Sequence, residues 1–410
     1  MAHIINSLLD LDFYKLTMGQ LAFLKYPRIP VRYGFKNRTK KVELARHVDE
    51  KDLRRELDFA RELRFTQEEI EFLRDMRING KIIFSNPYLN FLKGFRLPAY
   101  ELECDGKNYV LEFPGLWSEA ILWETIALSI VNELYYRSLT QSLGKVQTYM
   151  GRVTGLAHFH VKMSRLKETP GVRFSDFGTR RRFSREWQDT IVGMCAKTTP
   201  TQFMGTSNVA LAKKHGLVLI GTLAHEMFMV MSGVMHDNDE ILRRSHNQVL
   251  TDWWDLYGDT LSIALTDTYG TDFFFRDMTK DQAQAWKGLR QDSGCPFEFG
   301  DKAIGFYQGH GIDPREKILV FSDGLNVETI LKIHERFAGT VKMAFGWGTN
   351  LTNDLGFEPL SLVVKVIEAN DHGTVKLSDN LAKATGKPED IERFKQIFGH
   401  TVTRDETCTY

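Results

Sequence analysis

The sequence predicts an α/β protein, a barrel of parallel strands accompanied by a second, α+β unit. Three observations carry this. From about residue 171 onward, short β-type apolar runs recur, most of them followed by a helical stretch, which implies parallel pairing. Six to eight such runs fall within about 200 residues, which suits a closed barrel. The first 140 residues lack that alternation and read as mixed helix and strand.

Taken in order, Leu11 to Leu24 has helical spacing, with Leu11, Tyr14, Leu16, Met18, Leu21 and Phe23 over one broad face. Val31 to Phe35 alternates like a strand. Residues 52–75 are strongly charged with a regular apolar stripe, a surface helix broken near Thr66. Tyr109 to Glu112 reads as a strand, Leu116 to Tyr136 as a buried helix, and 145–166 as a long amphipathic helix. The barrel runs are Val172–Phe174, Leu217–Ile220, Leu261–Leu265, Lys317–Phe321, Val341–Phe345 and Leu362–Val366, with Thr201–Met204 and Trp286–Leu289 as further candidates. The expected division is 1–137, joined by the tail 371–410, beside a barrel over 138–370.

Composition narrows the function. Of 410 residues, 53 are Lys or Arg and 53 are Asp or Glu, so no global field exists for gripping nucleic acid or an acidic membrane. Apolar residues at 42% supply a large core, and 28 phenylalanines fit packing around a sheet. The cysteines at 104, 195, 295 and 408 form no CxxC pair, which excludes zinc-ribbon and thioredoxin readings. Met1 to Asp10 lacks the pattern of a secretory signal, and no apolar run is long enough to span a bilayer. The expectation is a cytoplasmic protein without membrane or nucleic-acid partners.

The unusual residues follow the strands: Asp176-Phe177-Gly178-Thr179-Arg180, Gly205-Thr206-Ser207-Asn208, Gly221-Thr222-Leu223-Ala224-His225, Arg290-Gln291-Asp292-Ser293-Gly294, Ser322-Asp323-Gly324-Leu325-Asn326 and Gly346-Trp347-Gly348-Thr349-Asn350. In a parallel barrel every strand C-terminus opens on one face, so these loops converge. Arginines, a histidine, carboxylates and glycines at one mouth are the inventory of an active site. The turns holding Gly324 with Asn326 and Gly346 with Gly348 and Thr349, late in the barrel, suit a phosphate, through backbone N–H groups and helix N-termini. Tight turn geometry alone is the alternative for either. Arg180-Arg181-Arg182 is the densest basic cluster; at least one inward guanidinium there, with Arg290 as a second, suits an anionic substrate. Asp292 could hold magnesium or sugar hydroxyls, or simply cap a helix.

Several familiar signatures fail. The letters DFG at 176–178 lack the glycine loop and catalytic loop of a kinase. No GxxxxGK[ST] occurs, so a nucleotide triphosphate would not sit on a Walker loop. His225-Glu226 has Met229 where a zinc protease needs a second histidine. His158 and His160, two apart within a helical pattern, point to different sides and read as structural.

Together LLDLDFYKLTM (8–18), DFGTRRRFS (176–184), GTSNVALA (205–212), GTLAHEMFM (221–229), LRQDSG (289–294), FSDGLN (321–326) and FGWGTN (345–350) resemble nicotinate phosphoribosyltransferases, relatives of the nicotinamide and quinolinate enzymes. The resemblance runs from the first helix to the end of the barrel. It implies the irregular TIM-like barrel of type II phosphoribosyltransferases, and transfer of phosphoribosyl from phosphoribosyl pyrophosphate to nicotinate in NAD salvage. It further implies ATP coupling through a phosphohistidine at His225, magnesium as cofactor with its ligands left open, and a homodimer with shared active sites.

By the same resemblance Tyr14, from the neighbouring subunit, and Phe177 stack on the pyridine ring. Arg290 and Thr222 contact nicotinate, Thr349 contacts the phosphoribosyl donor, and Ser207 and Ser293 belong to the substrate site. Arg180 would neutralise charge on the leaving pyrophosphate and Asp292 would orient the ribose hydroxyls or their magnesium. The rival readings are a nicotinamide or quinolinate phosphoribosyltransferase and a non-catalytic barrel scaffold. A metal-dependent amidohydrolase fails for want of ligand histidines after the strands.

Overall fold

The computed structural model describes residues 2–406; Cys408 and the end of the 371–410 tail lie outside them. Eleven strands make two sheets. In chain order they are β1 (Pro30–Asn37), β2 (Glu101–Cys104), β3 (Tyr109–Leu116), β4 (Phe174–Asp176), β5 (Phe203–Thr206), β6 (Ile263–Leu265), β7 (Gly288–Gln291), β8 (Ile318–Phe321), β9 (Lys342–Trp347), β10 (Leu362–Ala369) and β11 (His372–Gly373). A small hairpin, Arg77–Ile78 with Lys81–Ile82, stands apart.

The sheet β5-β4-β9-β8-β7-β6 is parallel throughout. Helices or helical turns separate its strands, the arrangement the alternating pattern requires. Phe321 and Phe345 pair across neighbouring strands with ring centroids 5.9 Å apart, and the ring of Phe337 from the intervening helix stacks on Phe321 at 6.2 Å. The phenylalanine-rich composition thus builds the contact between sheet and helices.

Leu217–Ile220, expected as a strand, is an irregular stretch with one parallel bridge, Thr206 to Leu219. Ile220 N donates to Thr206 O at 3.0 Å, and Thr222 Oγ1 donates to the carbonyls of Leu261 (3.0 Å) and Ile263 (2.9 Å) at the start of β6. This segment spans the gap between the sheet's two ends and gives the barrel its irregular, TIM-like closure. Gly205, at φ +140°, brings the Val218 carbonyl so near that a β-carbon would lie 2.1 Å from its oxygen.

A second correction concerns Leu362–Val366. This run is not a barrel strand; it is most of β10 in the antiparallel sheet β11-β10-β1-β3-β2, paired with β1 from Val31–Ala369 to Asn37–Leu362. A continuous apolar run reports two covered faces, which parallel strands usually have but do not monopolise. One covering element is the helix His225–Val234. Gly233 lies so close to β10 that a β-carbon would sit 2.3 Å from the Ala369 carbonyl oxygen.

The helix at the N-terminus, Phe13–Lys25, is buried from Phe13 through Ala22 rather than on one face. Asp49 caps the helix Glu50–Glu62, and a capping box at Thr66 with Glu69 starts Gln67–Arg74, which accounts for the expected break. Within the span Trp123–Lys167 the backbone leaves helical geometry at Gly144 (φ +84°, ψ 173°), so two helices meet there at a kink, as the helices expected on either side require. Among the described residues no helix is long and apolar enough to cross a membrane.

Candidate active site

Register places the functional loops. Asp176 pairs with Trp347, Phe321 with Phe345 and with Gln291, and Leu265 with Arg290. The strands therefore end nearly flush, and the residues that follow emerge on one rim. The N-terminal segment joins that rim: Asp12 bridges Asn208, Phe13 N donates to Ser207 O at 2.7 Å, and Val209 N donates to Leu11 O at 3.0 Å. On the far side the rim meets β10 and the loop beyond β11. Backbone pairing of Leu381 with Arg404 and the Asn380 clamp on Glu406 hold that loop.

Between these walls lies a cleft of about 1360 Å³, its open mouth included. Tyr14, Phe177, Arg180, His225, Arg290, Asp292, Gly324, Gly346, Gly348 and Thr349 all line it. Four sequence-predicted residues do not. Ser207 donates to Asp12 Oδ1 at 2.7 Å, Thr222 closes the barrel as described, the Ser293 hydroxyl donates to Asp267 Oδ2, and Asn326 caps its helix through Thr329 N at 2.9 Å. Ser207, Thr222 and Ser293 are buried behind the cleft wall, and Asn326 is exposed at the surface. Arg182 also turns away, fully buried and bidentate to Asp10 at 2.7 and 2.8 Å, whereas Arg180 and Arg181 reach the cleft.

The sequence did not single out Arg38, Lys365, Lys376 or Lys383, which also line the cleft. A lysine inside an apolar run, as in LVVKVI, is the one available signal, because buried lysines are rare without a partner. Among the described lining residues, seven Lys and Arg face four carboxylates, a balance suited to an anionic ligand.

Tyr14 lines the cleft of its own chain, where the 9–13 segment is hydrogen-bonded to the rim of the same barrel. Its ring centroid lies 5.6 Å from the Arg180 guanidinium carbon, and its buried hydroxyl has no hydrogen-bond partner. Gly346 makes room for the opposite aromatic, since a β-carbon there would stand 3.3 Å from Phe177 Cδ2 and 3.2 Å from Ser322 Cβ. Gly324 adopts φ +56°, the left-handed region that glycine enters without strain.

His225 opens its helix. Nε2 is 3.0 Å from Asp292 Oδ2 and Nδ1 is 3.0 Å from Thr268 Oγ1. Burial, reinforced by Lys376, depresses its pKa to about 4 despite the opposing pull of Asp267 and Asp292, so the imidazole is neutral at neutral pH. The neutral tautomer that satisfies both partners carries its proton on Nε2 and leaves Nδ1 as acceptor. Burial would raise the Asp292 carboxyl, but Arg290 first and then His225 hold it well below the usual carboxylate range. Arg290 NH2 lies 3.8 Å from Asp292 Oδ1, and its buried Nε has no hydrogen-bond partner. A guanidinium lining a cleft is a ready bidentate donor for a planar anion.

Among the described residues no group of three or more His, Cys, Asp or Glu side chains could hold a metal ion. Asp292 and Asp323 are the aspartates that line the cleft, and Asp323 is ion-paired with Lys383.

The sequence profile of the nicotinate phosphoribosyltransferase (NAPRTase) family matches residues 172–402, and that of the family's N-terminal domain matches 9–132. Among solved structures, a nicotinate phosphoribosyltransferase from Vibrio cholerae superposes with a TM-score of 0.87 at 33% identity, covering 97% of this chain and 94% of that one. One from Porphyromonas gingivalis superposes with a TM-score of 0.86 at 34% identity, covering 97% of this chain and 100% of that one.

Proposed function

The chain belongs to the nicotinate phosphoribosyltransferase family, and on that premise we propose that it joins nicotinate to the phosphoribosyl group of phosphoribosyl pyrophosphate with the help of ATP and magnesium. The C1–oxygen bond to pyrophosphate breaks, the pyridine nitrogen supplies the electron pair for the new C1–N bond, and no proton moves in that step. Nicotinate mononucleotide and pyrophosphate leave.

The observation that carries this reading is Arg290, which lines a cleft rich in cations. It can grip a flat carboxylate, while Tyr14 and Phe177 offer aromatic faces to the ring. Arg180 would stabilise charge developing on the departing pyrophosphate. The turns at Gly324 and at Gly346, Gly348 and Thr349 would bind phosphate oxygens. Asp292, beside His225, would orient the ribose hydroxyls.

Magnesium suits a site with a few carboxylates rather than a cage, because it commonly stays on substrate phosphates and keeps several waters. Asp292 and Asp323, the aspartates that line the cleft, would meet it, and it would supply charge neutralisation on the pyrophosphate. His225, neutral at working pH, would accept the γ-phosphoryl group of ATP. The resulting anion beside the phosphate site would change affinity for substrate and product. ATP thereby acts through binding and not in the transfer step.

Product analysis with nicotinate, phosphoribosyl pyrophosphate, magnesium and ATP, omitting one at a time, tests the whole scheme. Mononucleotide and pyrophosphate in equal amounts are expected. Nicotinamide serving as well as nicotinate would overturn the base assignment.

A further inference from the structure

We propose that Glu124 is a positioning residue for this reaction, holding the Arg180 guanidinium and the Lys365 ammonium together as one anion-binding pair in the cleft. The proposal rests on the phosphoribosyl-transfer reading above.

Glu124 lies in the first turn of the helix Trp123–Lys167, its side chain 4% exposed. Oε1 lies 3.1 Å from Arg180 NH1 and 3.2 Å from Lys365 Nζ, and Oε2 pairs with Lys15 Nζ. One carboxylate thus joins the N-terminal helix, the turn after β4 and the middle of β10. Both oxygens are engaged, so Glu124 acts through its cations and not on substrate.

The anchor is itself fixed. Lys15 also pairs with Glu226, whose other oxygen accepts from Tyr33 OH at 2.7 Å and Trp117 Nε1 at 2.9 Å. Arg180 has a second hold on Asp12, at 3.2 Å from Nε. Lys365 has no second carboxylate within ion-pair distance among the described residues.

That asymmetry gives the proposal a readout. The charged groups facing Lys365 are Glu124 from the long helix, Arg180 from the β4 turn, Lys376 from the loop beyond β11 and Lys15 from the N-terminal helix. Burial and the three cations lower its pKa to about 8, against the pull of Glu124. Without that carboxylate Lys365 loses its proton at lower pH, and Arg180 loses one of two anchors.

The test compares full-length wild type with Glu124→Gln, Lys365→Arg and Lys365→Met, measuring kcat and both KM values from pH 6.5 to 9.5. Removing a charge-assisted contact of this kind is expected to raise the KM for phosphoribosyl pyrophosphate about tenfold in Glu124→Gln. The nicotinate KM should move less. The alkaline limb of kcat/KM for the donor should shift to lower pH in Glu124→Gln and to higher pH in Lys365→Arg, whose guanidinium stays charged. Lys365→Met should lose that limb and bind the donor weakly at every pH.

A folded Glu124→Gln protein with the wild-type donor KM and pH profile overturns the proposal. Should that variant not fold, an alkaline limb unmoved in Lys365→Arg does so. Wild type that makes no mononucleotide from nicotinate and phosphoribosyl pyrophosphate sinks the activity reading itself, and does so before any variant is compared.

Discussion

Nε2 of His225 stands 3.0 Å from Oδ2 of Asp292, joining the start of the helix His225–Val234 to the rim of β7. The carboxylate orients an imidazole that burial keeps neutral, the state a phosphoryl acceptor needs. His225→Ala is therefore expected to abolish stimulation by ATP while the protein still folds. Assays with and without ATP, together with a melting curve, check this; stimulation that survives the substitution refutes the role.

Burial of that imidazole makes stability depend on pH. The His225 pKa is depressed in the folded state to about 4 from an unfolded value of 6.5. Between those values the unfolded chain binds the extra proton, so stability is full above pH 6.5 and falls as pH drops toward 4. The loss attributable to this residue has a ceiling of about 3 kcal/mol. Urea midpoints from pH 4.5 to 7 should decline more steeply in wild type than in His225→Asn. Parallel slopes would show that the depression is absent.

Arg290 is expected to set affinity for the acid. Arg290→Gln removes the fork and should raise the KM for nicotinate by about ten- to a hundredfold, the scale of a lost charged hydrogen bond. The donor KM should change far less. Steady-state kinetics with each substrate varied in turn separates the two, and an equal rise in both would deny Arg290 the carboxylate.

Tyr14 lies in its own chain's cleft, together with Phe177 and the cationic residues of the same chain. Mixing Tyr14→Ala with Arg290→Ala, each expected to be nearly inactive, should restore nothing. Recovery of about a quarter of the wild-type rate, as random pairing of chains that share sites would give, contradicts this arrangement.

On the proposed reading, magnesium held mainly by substrate phosphates would leave the free protein indifferent to it. Adding a chelator is expected to stop turnover while the melting temperature of the ligand-free protein stays within about 1 °C. A large drop in melting temperature would point to a structural metal.

What could be read from the chain alone was local. Strand periodicity, the helix break near Thr66 and glycine turns after apolar runs are short-range signals, and the order of the strand-end motifs gave their convergence once parallel pairing was inferred. Arg180, His225 and Arg290 were legible because polar residues that end a buried strand have few other uses.

Only the tertiary structure decided the rest, because it depends on which distant segments meet. Nothing local distinguishes Leu362–Val366 as a partner of β1 from a barrel strand, since burial on both faces yields the same apolar run. Ser207 and Thr222 stand beside cleft residues in sequence, yet their hydroxyls are committed to Asp12 and to the carbonyls that open β6. Lys365, Lys376 and Lys383 gain their meaning from a sheet and a loop that fold back over the barrel mouth. Ion pairs such as Glu124 with Lys365, 241 residues apart, leave no periodic trace; their energy comes from burial and geometry that only the folded chain creates.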